Sequence, residues 1–374
     1  PAAPAAPARP HRERSLPLPL PLPLPGTAAG IPRPCLFAVP SPGAYPHTPP
    51  RAMPHPRTLP PMPRIVVVGS LMMDLVVRAP RLPVIGESLI AHDFQAFVGG
   101  KGGNQAIAAA RLGAPVSIIG RVGDDDFGRT ILATLAAEGI DTTHIATDPG
   151  AGTGVAVPIV LDDGENAILA VPRANLALNA ADVEPARALI EAADVLIVQF
   201  EVGMEATESA MRIARAARRT VLLNPAPIAP HPPGLLALAD VLVPNEIEAA
   251  ELAPAAAGDH DCEAAELLAR GPASVIITLG EAGALVATPR GREWVPPFPV
   301  RAVDSVGAGD AFCGALAVAL AGGAPLIDAT RFGCAAAASA VTRPGAAAAL
   351  PSREEAARIL RSGGELSPFL QRFC

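Results

Sequence analysis

The sequence predicts an α/β fold: a three-layer α/β/α sandwich with a mostly parallel central sheet, plus a small β-sheet lid. Three observations predict it. From Arg64 onward, short β-branched runs alternate with stretches of helical composition. Those runs are apolar throughout, as expected for strands that are buried on both faces. Half of the residues are hydrophobic but only 3% are aromatic, so alanine and branched aliphatic side chains must fill the core, which suits helices packed on a sheet.

The first 63 residues differ in composition from the rest of the chain. They hold 21 of the 44 prolines, five of them in the run "PLPLPLPLP" (17–25). Proline lacks an amide hydrogen and fixes φ, so we expect this stretch to be a disordered extension. A transit peptide is the alternative, because Glu13 is the only acid beside six arginines. A third possibility, which we favour, is that the natural start is Met62. The folded domain is then expected to span 64–365, followed by a tail of residues 366–374.

The first half of the domain begins with a regular alternation. "RIVVVGS" (64–70) is a short β-branched strand that ends in glycine. "NQAIAAARLG" (104–113) has helical composition and stops at a glycine. A strand at 116–123 and a helix at 126–140 follow, and together these elements predict a parallel sheet with helices against it.

The second half supplies four more buried strands. They are predicted at 194–201, 220–227, 240–245 and 274–280, with helical stretches between them.

Two segments interrupt the alternation, at about residues 75–100 and 152–172. Both contain strand-like runs without a helix, and "DDGE" (162–165) is a strong turn signal. We expect them to form a second, smaller sheet that covers a ligand cleft as a lid.

Composition excludes several classes of protein. The net charge of −7 argues against nucleic acid or an anionic membrane as the main partner. The five cysteines are scattered and form no Cys-x-x-Cys pair, which disfavours a disulfide framework or a zinc site and favours a reducing, cytoplasmic location. The sequence contains no apolar run long enough to predict a membrane span.

The segment "AVDSVGAGDAFCGAL" (302–316) is the most informative for chemistry. A glycine-rich turn precedes an alanine-rich helix, so backbone amides can converge on one point at the helix N-terminus and form an anion hole. Asp310 stands beside that turn and could accept a proton from a hydroxyl group aimed at the bound anion. The alternative, equally supported by this segment alone, is an aspartate that caps the helix.

A second glycine-rich segment, "GGKGGN" (99–104), contains Lys101, the only lysine in the chain. Glycines allow the backbone to approach a small ligand, and Lys101 and Asn104 supply donors for hydroxyl groups. A flexible loop with a solvated lysine is the alternative. Since every other strongly basic residue is arginine, we interpret the lysine as retained because a compact ammonium fits where a guanidinium does not. The segment does not match a P-loop.

Two further segments follow predicted strands. "PNEIEAAEL" (244–252) offers Asn245 and Glu248 to a hydrated magnesium ion and a nucleotide phosphate, although an ordinary helix cap explains the same residues. "TLGEAG" (278–283) is a strand-to-glycine turn along which a nucleotide could lie.

In this order, these segments resemble the ribokinase family of sugar kinases, within the wider PfkB-type group. The likeness covers about residues 64–360. "GGKGGNQAIAAARLGA" (99–114) is close to the family's first signature, and "DSVGAGDAFCGAL" (304–316) matches its second, with serine in place of threonine. "LNPAP", "PNEIEAAEL", "ITLG" and "VTRPGA" fall in the family's order as well. Six matches in register are highly specific.

The resemblance implies an ATP-dependent kinase that phosphorylates D-ribose at O5, with Mg²⁺ and K⁺ as cofactors. It implies that Asp310 is the base and that the backbone amides of Gly307, Ala308 and Gly309 form the anion hole. The implied sugar ligands are Asp74, Gly100, Lys101, Asn104, Glu201 and Asp310. The implied ATP contacts are Asn245, Thr278, Leu279, Gly280, Glu281, Ala282, Gly283, Gly309, Asp310 and Cys334. The implied potassium ligands are Asp304, Val306, Ala340, Arg343, Gly345 and the position of Ala349, with Glu248 acting on magnesium through water. A homodimer through the lid sheet is also implied.

Three positions depart from the family pattern. Met72 stands where an asparagine normally meets the sugar, Arg173 stands where the family has glycine, and Ala349 stands where a serine often completes the potassium shell. The alternatives left open are a kinase for another pentose, deoxyribose or a nucleoside, and a catalytically inactive sugar-binding protein.

Overall fold

The computed structural model describes residues 64–162 and 166–374. The strands of these stretches are β1 (Ile65–Val68), β2 (Met72–Ala79), β3 (Asp93–Gly99), β4 (Val116–Gly123), β5 (Asp141–Asp148), β6 (Gly154–Leu161), β7 (Asn166–Val171), β8 (Val195–Val198), β9 (Thr220–Leu223), β10 (Val241–Leu242), β11 (Ser274–Thr278), β12 (Ala284–Thr288) and β13 (Gly291–Val295). The helices are α1 (Lys101–Arg111), α2 (Asp126–Ala137), α3 (Ala174–Ala177), α4 (Ala180–Val183), α5 (Arg187–Ala192), α6 (Met204–Ala216), α7 (Glu246–Leu252), α8 (His260–Ala269), α9 (Ala308–Ala321), α10 (Leu326–Ala340) and α11 (Arg353–Ser362).

Nine strands form the large sheet, in the order β13-β12-β11-β10-β9-β8-β1-β4-β5. The strands from β11 to β5 are parallel, whereas β12 and β13 add an antiparallel edge. This confirms the predicted mostly parallel α/β sheet. The edge strands β5, β12 and β13 were not predicted. The exposed or mixed residues of β5 and β13 lack the continuous apolar character of the central strands, whereas β12 is a short apolar run that follows the glycine turn at 280–283.

Helices cover both faces of this sheet because the central strands are apolar on both sides. Ile65 and Val67 pack into the cluster that includes residues of α1, α2, α9, α10 and α11. Val66 and Val68 point the other way, into a cluster with α6, α7 and α8. The sandwich therefore has the predicted three layers.

Small residues let α1 and α9 pack unusually close together. A Cβ atom added to Gly314 would come within 2.6 Å of the Cβ atom of Ala108 and 3.0 Å of the carbonyl oxygen of Gln105. Gly314 lies one helical turn after Asp310, and Ala108 lies one turn after Asn104. The glycine contact therefore brings the first turns of the two helices together, and with them the polar side chains that they carry.

The small sheet has four strands in the order β3-β2-β6-β7. Strands β2 and β3 are antiparallel, β2 and β6 are parallel, and β6 and β7 are antiparallel. The two predicted excursions thus form a sheet of their own, and β2 follows β1 after only three residues. The small sheet therefore begins at the carboxyl edge of the large one.

Two predictions lie outside the described residues: the nature of residues 1–63, and most of the "DDGE" turn. The final segment packs on α10, where Leu370 is fully buried and the rings of Phe373 and Phe332 lie 4.5 Å apart. Within 64–162 and 166–374, no helix is long and apolar enough to cross a membrane.

Candidate active site

The glycine-rich segment 99–103 is the start of a helix rather than a loop. α1 begins at Lys101, with Gly100 in the left-handed region at φ 83°. A Cβ atom on Gly102 would lie 2.5 Å from the carbonyl carbon of Gly69, and one on Gly99 would lie 2.2 Å from Oδ2 of Asp74. These glycines therefore make room for the end of β1 and for a carboxylate of the chain itself. That corrects the prediction of a loop whose backbone lies open to a ligand.

Glu201, which follows β8, anchors the first turn of α1. Its Oε2 atom accepts hydrogen bonds from the Ser70 hydroxyl at 2.5 Å and from the Lys101 amide at 3.0 Å. The hydroxyl oxygen of Ser70 also accepts the Gly102 amide at 3.3 Å. The amides of Lys101 and Gly102, which have no acceptor within the helix, are therefore both hydrogen-bonded. Of the Glu201 oxygens, Oε1 is left to bind a ligand.

Asp310 lies in the first turn of α9, after Gly307 in the left-handed region at φ 78°. Its Oδ2 atom accepts a hydrogen bond from the Asn104 amide at 2.9 Å, and its Oδ1 atom accepts one from the Gln105 amide at 3.0 Å. The carboxylate is not a helix cap, since no side chain caps α9. A Cβ atom on Gly309 would meet nothing within 4 Å, so the backbone there is open to the adjoining space.

Charged side chains converge around Asp310. Burial raises the pKa of the Asp310 carboxyl, while Lys101 and the two amides act in the opposite direction. Burial, helped by Glu201 and Asp310, raises the pKa of Asp74 to about 7. Although burial lowers the pKa of the Lys101 ammonium, the carboxylates of Asp310, Glu201 and Glu248 outweigh that effect and raise it. Lys101 is thus a cation held among three carboxylates.

A cavity of about 200 Å³ opens between these groups. Its lining includes Lys101, Asn245, Glu248, Thr278 and Asp310 from the prediction. Gly307 and Gly309, predicted as part of the anion hole, line it as well. The lining residues that were not predicted are Asn224, Ala226, Val243, Ser305 and Cys313. The cavity could hold a phosphate group or part of a sugar. The Asp310 carboxylate, the Lys101 ammonium and the backbone of the α9 N-terminus all face it.

Asn245 and Glu248 cap a helix and also face the smaller cavity. They form a capping box at the start of α7: the Asn245 side chain accepts the Glu248 amide at 2.8 Å, and the Glu248 carboxylate accepts the Asn245 amide at 2.8 Å. Both also line the cavity. Burial raises the pKa of Glu248, against the opposing effects of the Asn245 amide and Lys101.

A second and more apolar cavity, of about 530 Å³, adjoins the first at Thr278, Ser305 and Gly309. Of the predicted ATP contacts, it is lined by Thr278, Gly280, Glu281, Gly283, Gly309 and Cys334. Leu279 instead packs into the core, and Ala282 is exposed outside the lining. The sequence reasoning missed Phe298, Phe312 and Ala337, which give the cavity apolar walls suited to a purine ring.

Asp304 joins the two loops that carry the predicted potassium ligands. Its Oδ1 atom accepts the Val306 amide at 3.0 Å, and its Oδ2 atom accepts the Gly345 amide at 2.8 Å. Arg343 donates to the carbonyl of Ala349 at 3.1 Å, and its guanidinium pairs with Glu355. The Asp304 carboxylate therefore holds the 304–306 turn and the loop at Gly345 together, and the predicted potassium ligands lie on these two segments.

The first two departures from the family pattern have clear structural settings. Met72 is 97% buried and lies on the same face of β2 as Asp74, two residues away. Arg173 has φ 49° and ψ −116°, a conformation that favours glycine. Its guanidinium donates to the Thr153 carbonyl at 3.2 Å and covers Gly152, where a Cβ atom would lie 2.0 Å from Nη2.

Three amide side chains in the hydrogen-bond network that reaches Asp310 were missed. Gln105 and Gln199 are fully buried, and Asn224 lines the smaller cavity. In the sequence they stand in "GGNQ", "IVQFE" and "LNPAP". A glutamine in an alanine-rich helix and another after an apolar strand gave no sign that they meet. The only available signal was a polar residue at a position where the pattern requires a core residue.

Comparison with known proteins gives a consistent result. A family model described as "pfkB family carbohydrate kinase" matches residues 62–353. The ribokinase of Bacillus subtilis is 39% identical over 304 residues, which cover 80% of this chain and all of the relative. The deoxyribokinase of Salmonella typhi is 38% identical over 257 residues, 68% of this chain and 84% of the relative. The structure of Arabidopsis thaliana ribokinase complexed with ribose and ATP matches with a TM-score of 0.75 at 30% identity, covering 80% of this chain and 99% of that one.

Proposed function

The chain belongs to the pfkB family of carbohydrate kinases, and from that premise we propose that it uses ATP to phosphorylate D-ribose at O5, giving ribose 5-phosphate. One observation carries the proposal. The Asp310 carboxylate lies at the N-terminus of α9, between two amide donors, where the smaller cavity meets the apolar one. A base, an anion hole and a groove for a purine therefore share one point.

The reaction follows from these positions. Asp310 accepts the proton of the sugar's primary hydroxyl group as that oxygen bonds to the γ-phosphorus of ATP. The bond from the γ-phosphorus to the β–γ bridging oxygen breaks, and ADP leaves with the bond's electrons. The amides of Gly307, Ala308 and Gly309, at the positive end of α9, stabilise the charge that develops on the transferred group. Lys101 adds positive charge on the same cavity.

The sugar-binding groups are proposed to lie between the small sheet and α1. Asp74 comes from β2, Gly100, Lys101 and Asn104 from the start of α1, and Glu201 from the end of β8. Glu201 and Asp310 both raise the pKa of Asp74, which shows that the three carboxyl groups lie near one another. Carboxylates and amides at this spacing can accept and donate to the several hydroxyl groups of a pentose.

ATP is proposed to place its purine in the apolar cavity and its phosphates in the smaller one. Glu248 would act on Mg²⁺ through water, which would neutralise phosphate charge during transfer. Potassium would be held by Asp304 and the carbonyl groups of Val306, Ala340, Arg343 and Gly345, behind the α9 turn. The link from Asp304 to the Gly345 amide supports that placement, because it brings both loops to one carboxylate.

A homodimer through the small sheet is proposed from its exposed apolar side chains. Ile85, Ile90, Phe94 and Leu169 are each at least 60% exposed in or beside this sheet. An apolar patch of this kind marks an interaction surface. A cytoplasmic location stays a prediction from the scattered cysteines.

A second candidate substrate is 2-deoxyribose. Met72 is buried on the Asp74 face of β2, where a thioether leaves a sugar hydroxyl group without a partner, and a deoxyribokinase is among the relatives.

A screen of ATP consumption across ribose, 2-deoxyribose, other pentoses and nucleosides tests both candidates. Ribose should give the highest kcat/KM. A nucleoside as best substrate would overturn the proposal, and no turnover with any sugar would favour an inactive binding protein.

A further inference from the structure

A chain of buried amide side chains runs from the end of β8 to the Asp310 carboxylate. Gln199 Nε2 donates to Gln105 Oε1 at 2.6 Å. Gln105 Nε2 in turn donates to Asp310 Oδ1 at 3.0 Å and to Asn224 Oδ1 at 3.1 Å. Asn224 Nδ2 donates to the Val243 carbonyl at 2.9 Å. Every polar atom of the Gln105 side chain is therefore engaged.

These hydrogen bonds allow the Gln105 amide only one orientation. If it were turned over, its carbonyl oxygen would face Asp310 Oδ1 and Asn224 Oδ1, which both accept and cannot donate. Gln199 must then present its NH₂ group to Gln105. The Gln199 oxygen consequently lies over Gly69, where a Cβ atom would come within 2.1 Å of it. The absence of a side chain at residue 69 makes room for the end of the Gln199 side chain, whose oxygen has no hydrogen-bond partner among the described residues.

Gln105 differs from Asn104, the other amide that holds Asp310. Asn104 has an oxygen with no partner among the described residues and is assigned to the sugar under the proposed function, so its contacts can change when a ligand binds. Gln105 is fully buried, its side chain is fully hydrogen-bonded, and it does not line the smaller cavity. Its contact with Asp310 can persist through the reaction.

We propose that Gln105 is a positioning residue that aims the Asp310 carboxylate and keeps it a free acceptor, and that Gln199 holds the Gln105 amide in the orientation this requires. The inference rests on the proposed function for its kinetic consequences. Its structural basis, a donor at a fixed place on a buried carboxylate, is independent of which sugar is used.

The expected effect has a definite sign. A donor to a carboxylate stabilises its charged form, and the Gln105 amide lowers the pKa of Asp310 against the effect of burial. Loss of that donor should raise the pKa of Asp310 further, so that kcat at a pH on the acid limb falls about ten-fold. Substitutions at residues 105 and 199 leave every other titratable residue near Asp310 in the protein. These residues are Lys101 of α1, Asp74 of β2, Glu201 after β8, Glu248 of α7 and Cys313 of α9.

The test uses Gln105→Leu, Gln199→Glu and Gln199→Met in the full chain. Gln199→Glu is the sharpest variant because residue 199 does not touch Asp310. An ionised carboxylate at residue 199 only accepts, so Gln105 must turn its NH₂ group away from Asp310 to reach it. Because burial favours the neutral form of such a group, and because its charge would itself raise the pKa of Asp310, the uncharged Gln199→Met variant must shift the limb in the same direction. We expect Gln105→Leu and Gln199→Glu to move the acid limb of kcat to higher pH, and Gln199→Met to move it less. The KM for ribose at high pH should change less than two- to three-fold, because no sugar contact is removed.

Thr330→Val, which removes a fully buried hydroxyl group in α10, is the control for a general loss of packing and should not move the limb.

A second measurement does not depend on turnover. In protein labelled with ¹³C-aspartate, the Asp310 carboxyl resonance is identified by its loss in Asp310→Asn, and its titration should shift upward in the same variants. If the wild type phosphorylates ribose but neither the limb nor the resonance moves in folded Gln105→Leu and Gln199→Glu, the positioning role is wrong. If the wild type turns over no sugar but the resonance shifts, the proposed function fails and the positioning role stands. Should Gln105→Leu not fold, the two Gln199 variants decide the matter.

Discussion

The side-chain amide of Asn104 donates to the carboxylate of Asp310 at 2.9 Å, although 206 residues separate them in the chain. The contact joins the first turn of α1 to the first turn of α9, which the close packing at Gly314 holds together. Under the proposed function, this contact would place a sugar held by α1 against the base carried by α9. The following predictions test how far this arrangement determines substrate, stability and ion dependence.

Met72 tests substrate choice. Met72→Asn would restore an amide on the face of β2 that carries Asp74, and we expect it to lower the KM for ribose. A buried hydroxyl group without a partner costs about 1–3 kcal/mol, which corresponds to a roughly five- to hundred-fold loss of affinity. The measurement is kcat/KM for ribose and for 2-deoxyribose in both proteins. If neither the ribose KM nor the ratio of the two substrates changes, Met72 does not face the sugar.

Arg173 tests backbone strain at the base of the small sheet. Arg173→Gly and Arg173→Ala both lose the guanidinium contact with Thr153, but only glycine adopts φ 49° and ψ −116° without strain. We therefore expect the glycine variant to be more stable than the alanine variant by about 1–3 kcal/mol in the free energy of unfolding. Urea denaturation of the two variants measures this directly. Equal stabilities would show that residue 173 does not hold the strained conformation.

Asp74 gives a prediction about pH. Its pKa is raised to about 7 in the folded protein, above the 3.8 of an unperturbed aspartate. The folded state therefore binds more protons than the unfolded state between about pH 4 and pH 7, and the contribution of Asp74 to stability falls as pH rises through that window. Asp74→Asn removes this dependence. The Tm of the variant minus that of the wild type, without sugar, should increase from pH 5 to pH 8. A difference that is flat or decreasing would contradict the assignment.

Asp304 tests the proposed potassium site. Activity should be higher in potassium than in sodium or tetramethylammonium salts, since a cation behind the α9 turn would orient the anion-hole amides. Because Ala349 offers no hydroxyl group, the requirement should be weaker than in relatives with serine there. Asp304→Asn should remove most of the difference between the salts. Equal wild-type rates in all three salts would refute the site.

The sequence predicted the parts of the site that lie next to a recognisable pattern. Lys101 stands between glycines and Asp310 directly follows a glycine-rich turn, both at element boundaries, and the alternation of apolar runs predicted the parallel sheet. The start of α1 was missed because glycine is a poor helix former, whereas packing of Gly102 on Gly69 overrides that preference. Gln105 and Gln199 were missed because their partners are distant in the chain, and only the folded structure brings these amides together.

The edge strand β13 was missed for a similar reason, because a contact with another segment determines its place. β13 has four exposed residues out of five, so no apolar run indicated it. Its place is set by hydrogen bonding to β12, a contact between segments that periodicity alone does not reveal.

The central claim is that Asp310 is the base for phosphoryl transfer to the sugar, and the most direct test compares the wild type with Asp310→Asn. Ribose 5-phosphate formed from ribose and ATP is measured by ³¹P NMR, and ATP and ribose binding are measured by calorimetry. We predict that the variant binds both ligands with affinities close to those of the wild type, while kcat falls by a factor of about 10²–10⁴ or more. A variant that binds both ligands and keeps the wild-type kcat would contradict the account.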